Sequence, residues 1–139
     1  MTGIEFFDTN IILYANVDVF SPKHVIAKEL LEQKILYGVP CISVQVINEF
    51  VVNAMRKQKK LPEVEEIVRG LLANLCVQSL TEEHVTDAFR ITKRYQFSFW
   101  DSLIVAAALD LQCSVLYTED MQHGQWIDGV LEIRNPFKG

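Results

Sequence analysis

A strand that ends in an acid and turns directly into a helix opens the sequence, and this feature constrains the fold most. The apolar run Ile4–Phe7 predicts a short buried strand. Asp8, Thr9 and Asn10 follow, and from Ile11 onward the apolar residues recur at helical spacing. A carboxylate at the carboxyl end of the first strand lies where open parallel sheets place their ligand sites. Asp8 is also suited to cap the following helix, because aspartate is a favoured N-cap residue.

The alternation of strand and helix continues along the chain and predicts an α/β fold. Apolar runs at residues 39–42, 76–80 and 113–117 predict three further strands, and residues 126–133 predict a weak closing strand. Helical patterns separate these runs, and right-handed crossovers then make the sheet mostly parallel. The 139 residues contain no repeat or plausible linker, so we expect a single domain over residues 1–139.

The helix around residue 50 carries a polar ridge opposite its apolar face. At ~100° per residue, Glu49 points away from the predicted core side. Asn53, Arg56 and Lys60 fall within about 60° of Glu49 on the same reckoning. The ridge is either an ordinary solvated surface or a carboxylate that faces a cleft, followed by cations that guide a polyanion such as RNA.

Two further acids stand at the ends of predicted elements. Asp101 lies in the first turn of a helix that is apolar on every side and should therefore be central and buried. Its spacing from Ser98 resembles a capping box, which is a purely structural explanation. Thr118 and Asp120 follow the fourth strand and repeat the opening arrangement, whereas the pattern assigns no direction to Glu119.

Acids gathered at one edge of a sheet require a cation. Carboxylates in close proximity repel and raise each other's pKa unless a positive charge joins them. Oxygen ligands without a thiolate or imidazole cluster favour Mg²⁺ or Mn²⁺ over Zn²⁺. The chemistry that fits is metal-assisted hydrolysis of a phosphodiester by an activated water. The formal net charge of −5 argues only weakly against nucleic-acid binding, since the arrangement of charge matters more than its sum.

The segments FFDTNIILY, ISVQVINEF, FWDSLIVAAAL and LYTEDMQHG resemble, in order and spacing, the four acidic motifs of the PIN-domain ribonucleases. The closest likeness is to the VapC-type toxins of bacterial toxin–antitoxin pairs. The resemblance implies a three-layer α/β fold with a four- to five-stranded, mostly parallel sheet flanked by helices. It also implies Mg²⁺- or Mn²⁺-dependent endonuclease cleavage of RNA, a homodimer, and inhibition by a small antitoxin. By position, the implied acidic quartet is Asp8, Glu49, Asp101 and Asp120, and the implied supporting polar residues are Asn10, Ser43 and Thr118.

Two other functions compete with this interpretation. An aspartyl-phosphate phosphatase requires a second aspartate two residues after the nucleophile, where Asn10 stands. A receiver-like domain requires a lysine after the hydroxyl strand, but acids follow Thr118. The remaining alternative is a non-catalytic PIN-fold module that binds protein or RNA.

Phe97, Phe99 and Trp100 are predicted to pack in the core, although they could also stack on bases or line an antitoxin groove. His123 is close enough to Asp120 to suggest a general base, but a turn residue beside a glycine is the favoured interpretation.

Three cysteines lie in or beside apolar runs, which predicts buried free thiols in a reducing cytoplasm: Cys41, Cys76 and Cys113. No apolar run reaches membrane-spanning length, and the N-terminus has no basic flank of a signal peptide, so a cytoplasmic protein is expected.

Overall fold

The computed structural model describes residues 3–138, which form one sheet and six helices. The strands are β1 (Ile4–Phe7), β2 (Val39–Ser43), β3 (Cys76–Gln78), β4 (Val115–Tyr117), β5 (Trp126–Ile127) and β6 (Leu131–Arg134). The helices are α1 (Thr9–Asn16), α2 (Lys23–Tyr37), α3 (Val44–Arg56), α4 (Leu61–Asn74), α5 (Glu82–Tyr95) and α6 (Phe99–Asp110). None of the helices within residues 3–138 is both long enough and apolar enough to cross a membrane.

The sheet has the strand order β3-β2-β1-β4-β6-β5, and every pairing is parallel except that of β5 with β6. The predicted α/β fold with a mostly parallel sheet is therefore confirmed. The described part of the chain has six strands, more than the four or five expected, because the weak closing segment forms two strands. Asp128 and Gly129 have φ values of 52° and 70°, and this left-handed pair turns β5 back onto β6.

Helix α6 is buried through most of its length, as its uniformly apolar sequence predicts. Ser102 to Ala108 are all buried, and the Thr92 hydroxyl of α5 donates to the Ser102 hydroxyl at 2.7 Å. On the sheet, Phe6 and Phe7 of β1 are fully buried. The central strand and this helix therefore fix the positions of the acids that follow or begin them.

Two predictions of burial are wrong. Trp100 is 63% exposed, because it lies in the first turn of α6, before the buried part of the helix. Cys76 is exposed because β3 is an edge strand, whereas Cys41 and Cys113 are buried as free thiols. Phe97 packs against the core as predicted.

Candidate active site

Four acids line one pocket at the carboxyl edge of the sheet. Asp8 follows β1, Asp120 follows β4, Glu49 lies in α3 and Asp101 lies in the first turn of α6. The pocket has a volume of about 240 Å³. Because β1 is paired with both β2 and β4, their carboxyl ends meet at this edge. The structure thus brings together all four members of the predicted quartet.

Asp8 is the most buried of the four acids, with 5% of its surface exposed. Its carboxylate accepts the Thr9 N–H at 2.7 Å and the Thr118 hydroxyl at 2.8 Å. Burial raises the pKa of Asp8 to about 7, these two hydrogen bonds lower it, and repulsion from Asp101 and Asp120 raises it further. Asp8 therefore caps α1, as predicted, and lines the pocket at the same time.

Asp101 also serves as a first-turn helix residue and as part of the pocket. The Ser98 hydroxyl accepts the Asp101 N–H at 3.1 Å and so caps α6. Burial raises the pKa of Asp101, the Ser98 hydroxyl lowers it, and repulsion from Asp120 and Glu49 raises it. This repulsion is the electrostatic consequence of placing acids from four segments around one pocket.

Neutral polar side chains hold the acids in place. The Asn10 amide donates to Asp120 at 2.9 Å and to the Thr118 hydroxyl at 3.3 Å. The Asp120 N–H also donates to the Thr118 hydroxyl, at 3.1 Å. The Thr9 hydroxyl donates to Glu49 at 2.7 Å. The contacts made by Asn10 and by the Thr9 hydroxyl join segments that are distant in the sequence, so these two residues position the acids relative to each other.

Ser43 does not line this pocket. It is fully buried, and its hydroxyl accepts the Val46 N–H at 3.4 Å, which makes it the N-cap of α3. Its effect on the site is therefore indirect, through the start of the helix that carries Glu49.

Glu119 and His123 form hydrogen bonds outside the acidic pocket. Glu119 accepts hydrogen bonds from the Tyr14 hydroxyl at 2.7 Å and from the Lys23 ammonium at 2.5 Å. The Lys23 ammonium also lies 5.2 Å from the ring centroids of Tyr14 and Phe137. His123 accepts the Asn135 N–H at 2.9 Å, consistent with the predicted turn role.

The polar ridge of α3 is shorter than predicted. Asn53 and Arg56 share the face of Glu49, and all three border a groove beside the acidic pocket. Lys60 does not belong to this ridge, because α3 ends at Arg56 and Gln58 adopts a left-handed φ of 67°. The Lys59 N–H then bonds to the Ala54 carbonyl at 3.1 Å, which closes the helix end.

Gln45 is a pocket residue that the sequence interpretation missed. It is 4% exposed, its Nε2 donates to the Trp100 carbonyl at 3.2 Å, and its Oε1 is buried without a hydrogen-bond partner in the described residues. Its spacing of four residues from Glu49 places both on one helix face, and this periodicity could have identified it. No sequence pattern could have predicted the contact of Thr9 with Glu49, because it depends on the packing of α1 against α3.

The donor set of the pocket suits a hard divalent cation, although its side chains are not gathered around one point. In residues 3–138, no group of three or more His, Cys, Asp or Glu side chains is placed to hold one metal ion. Instead, Asp8, Asp120 and Glu49 each accept a hydrogen bond from a neighbouring side chain. The acids offer only oxygen ligands, and none of the described side chains lining the pocket is a lysine or arginine. Within the described lining of the pocket, no cationic side chain therefore balances these acids.

Solved structures with the same fold include several toxins. A toxin–antitoxin complex from Klebsiella pneumoniae is 22% identical over 96% of this chain and 98% of that chain, with a TM-score of 0.69. VapC20 of Mycobacterium tuberculosis, described as a sarcin–ricin loop cleaving toxin, is 19% identical over 84% and 91%, with a TM-score of 0.70. VapBC2 of Rickettsia felis, bound to a promoter DNA fragment, is 19% identical over 95% and 99%, with a TM-score of 0.69.

No curated protein matches the sequence significantly. The family model for the PIN domain matches residues 6–125, which include all four acids of the pocket. The match spans most of the sequence. The chain therefore belongs to the PIN domain family.

Proposed function

We propose that this PIN domain is a Mg²⁺- or Mn²⁺-dependent endoribonuclease and the toxin of a type II toxin–antitoxin pair. The observation that carries the proposal is that Asp8, Glu49, Asp101 and Asp120 line one pocket, with no basic side chain among its described lining residues. A polyanion can approach such a pocket only if cations offset the acids. The toxins with the same fold support the choice of RNA as substrate and of an antitoxin as partner.

The acids of the pocket would contribute differently to the binding of a cation. Asp8 offers a carboxylate fixed by Thr118 and by the Thr9 N–H, so its direction is set before a ligand arrives. Asp120 and Glu49 would exchange their hydrogen bonds from Asn10 and Thr9 for contact with the ion. A bound Mg²⁺ or Mn²⁺ would lower the pKa of the attacking water and neutralise the charge that develops on the phosphate.

Cleavage of labelled RNA by the Asp8→Asn and Asp101→Asn proteins tests this function. We expect both changes to reduce Mg²⁺-dependent cleavage on the order of 100-fold or more, because each removes a charged ligand. The matched pair Glu49→Gln and Glu29→Gln compares a pocket acid with an exposed one, and only the first should lose activity.

Asparagine caps a helix about as well as aspartate, and even complete loss of the Asp8 cap would cost only about 1 kcal/mol, so the variants should remain folded by circular dichroism. Full cleavage by both the Asp8→Asn and Asp101→Asn proteins would contradict the assignment. If the unmodified protein neither binds Mn²⁺ in calorimetry nor cleaves RNA, the chain is instead a non-catalytic binding module.

The antitoxin and the homodimer form the second half of the proposal. The expected partner is the product of a short open reading frame next to the gene of this chain. Co-expression of the two should yield a stable complex with suppressed RNA cleavage, and light scattering of the toxin alone should give the mass of a dimer. If the product of the neighbouring reading frame neither binds this protein nor inhibits its cleavage of RNA, the toxin assignment is contradicted, whereas the nuclease assignment is unaffected.

A further inference from the structure

We propose that the groove beside the acidic pocket binds one unpaired nucleotide of the RNA, whose base stacks on Trp100. The inference rests on the proposed ribonuclease function and adds a positioning residue to it: Trp100, which would hold the nucleotide next to the cleaved phosphate. The groove, here called the α3 groove, has a volume of about 440 Å³. This size is within the range of about 300–1,000 Å³ found for small-molecule sites.

Trp100 stands at the boundary between the two cavities. It precedes the pocket acid Asp101, is 63% exposed, and lines both the acidic pocket and the α3 groove. Because its indole is mostly exposed, packing of the core does not account for a large aromatic residue here. An exposed indole beside a phosphate-cleaving pocket is a platform on which any base can stack.

The other side chains of the α3 groove match the rest of a nucleotide. Val52 and Leu80 add apolar surface beside the indole, and both are partly exposed. Asn48 supplies an amide suited to the hydrogen-bonding edge of a base, and Asn53, whose Nδ2 donates to the Glu49 carbonyl at 2.7 Å, offers its amide oxygen. Arg56, at the C-terminal end of α3, supplies a positive charge for the phosphate of the next nucleotide. Apolar face, polar edge and cation therefore occur together in one groove.

The α3 groove adjoins the acidic pocket and shares part of its lining, so a chain held in one is placed to extend into the other. Gln45, Glu49, Asn53 and Trp100 line both cavities. The buried Gln45 side chain joins α3 to the Trp100 carbonyl, and its Oε1 has no donor in the described residues. This link fixes the backbone of Trp100 relative to α3 where the two cavities adjoin.

An unpaired nucleotide fits these features better than a duplex. Stacking on a side chain requires a base that has left its helix, whereas duplex binding relies on many phosphate contacts. The described lining of the α3 groove contains a single cationic residue, Arg56. The formal net charge of −5 also disfavours binding through the phosphate backbone alone.

Fluorescence of Trp100 provides a test that does not depend on cleavage. The sequence contains two tryptophans, so Trp126→Phe leaves Trp100 as the single reporter. Combined with Asp8→Asn to suppress turnover, this protein should show saturable quenching by a single-stranded oligoribonucleotide and much weaker quenching by the fully paired form. A Trp100→Phe protein, in which Trp126 is the reporter, serves as the control and should show little change.

Kinetics on the otherwise unmodified protein provide the second measurement. Trp100→Ala should raise KM for single-stranded RNA by roughly 5- to 100-fold with kcat little changed, the range expected for loss of one stacked base. Trp100→Phe should retain most of the affinity, because it keeps an aromatic face. Trp126→Ala, at a residue that is 54% exposed in β5, is the matched control and should leave KM unchanged.

The outcomes separate this proposal from the proposed function. Metal-dependent cleavage with no quenching and an unchanged KM in Trp100→Ala would overturn the stacking site and leave the ribonuclease assignment standing. Quenching by single-stranded RNA without any cleavage would support the stacking site and overturn the ribonuclease. If Trp100→Ala converts a dimer to a monomer, or weakens only the antitoxin complex, the groove is a protein interface and the proposal is overturned.

Discussion

Asp8 performs two tasks whose energetic consequences oppose each other. As the N-cap of α1 it accepts the Thr9 N–H and stabilises the start of the helix. As a buried acid beside Asp101 and Asp120 it destabilises the folded state whenever it is ionised. The Thr118 hydroxyl reduces this cost without removing it. Loss of stability at a preorganised site is the general pattern for functional residues.

The raised pKa of Asp8 predicts the sign of the pH dependence of stability. The folded protein holds this proton up to about pH 7, whereas the unfolded chain releases it near the ordinary value of 3.8. The stabilising contribution of the proton is therefore fully present below about pH 4 and lost as the pH rises to about 7. Asp8→Asn removes this titration, so its stability relative to the unmodified protein should increase from pH 4 to 7, by at most about 4 kcal/mol.

Urea unfolding in metal-free buffer across this pH range measures the difference. Glu29→Gln, which removes an exposed carboxyl group outside the pocket, is the control. A difference for Asp8→Asn that varies with pH no more than that of the control would mean that Asp8 titrates normally in the folded protein.

At the scale of the element, local signals predicted the strand–acid–helix units well. Ile4–Phe7 forms β1 as predicted, and Asp8 caps α1, because both features depend on neighbouring residues only. Local sequence patterns do not distinguish the two adjacent acids Glu119 and Asp120. Only tertiary contacts decide that Glu119 turns to Lys23 while Asp120 lines the pocket.

Backbone conformation accounts for two further departures from the sequence prediction. Gln58 ends α3 in a left-handed conformation that usually favours glycine or asparagine, so no residue signal marks this end. The Asp128–Gly129 pair has the composition of a tight hairpin turn, and it divides the predicted closing strand into β5 and β6. The unpaired Oε1 of Gln45 depends on the contact of this side chain with the Trp100 carbonyl of α6, which no local pattern encodes.

Because α3 ends at Arg56, we expect different roles for Arg56 and Lys60. Arg56 borders the α3 groove, whereas Lys60 precedes α4 outside the ridge. Arg56→Ala should weaken binding of single-stranded RNA and reduce the slope of log K against log salt by about 0.7, the value for one phosphate contact. Lys60→Ala is the matched control and should leave the slope unchanged. Titrations with the Asp8→Asn protein from about 50 to 200 mM salt measure both slopes, and equal slopes would remove Arg56 from the RNA path.

At the scale of the whole molecule, the order of the strands is what creates the site. The four acids occupy positions 8, 49, 101 and 120, so no local segment could hold more than one of them. Strand β1 pairs in parallel with β2 on one side and β4 on the other, which brings the segments after these strands to one edge. Helix α6 adds Asp101 to the same edge because its apolar body is buried. The geometry of the pocket therefore depends on the integrity of the central sheet.

Substitution of one buried and one exposed phenylalanine tests how far the pocket depends on the central sheet. Phe6 is fully buried in β1, in register with Cys41 of β2 and Leu116 of β4, whereas Phe20 is 98% exposed. Phe6→Ala should lower the free energy of unfolding by about 3–5 kcal/mol, through lost burial and the cavity left behind. Phe20→Ala should change it by less than about 0.5 kcal/mol.

Urea titrations of both variants, followed by circular dichroism and by RNA cleavage, test the coupling of the sheet to the site. The Phe6→Ala midpoint should shift to lower urea with an unchanged slope, because the same surface is exposed on unfolding. Its cleavage activity should be lost across the same urea range as its secondary structure, since Asp8 follows β1 directly. Activity lost well before the structure would show instead that the acidic edge opens independently of the sheet. In that case the contacts among Asn10, Thr118 and Asp120, and not the central strands, would limit the stability of the site.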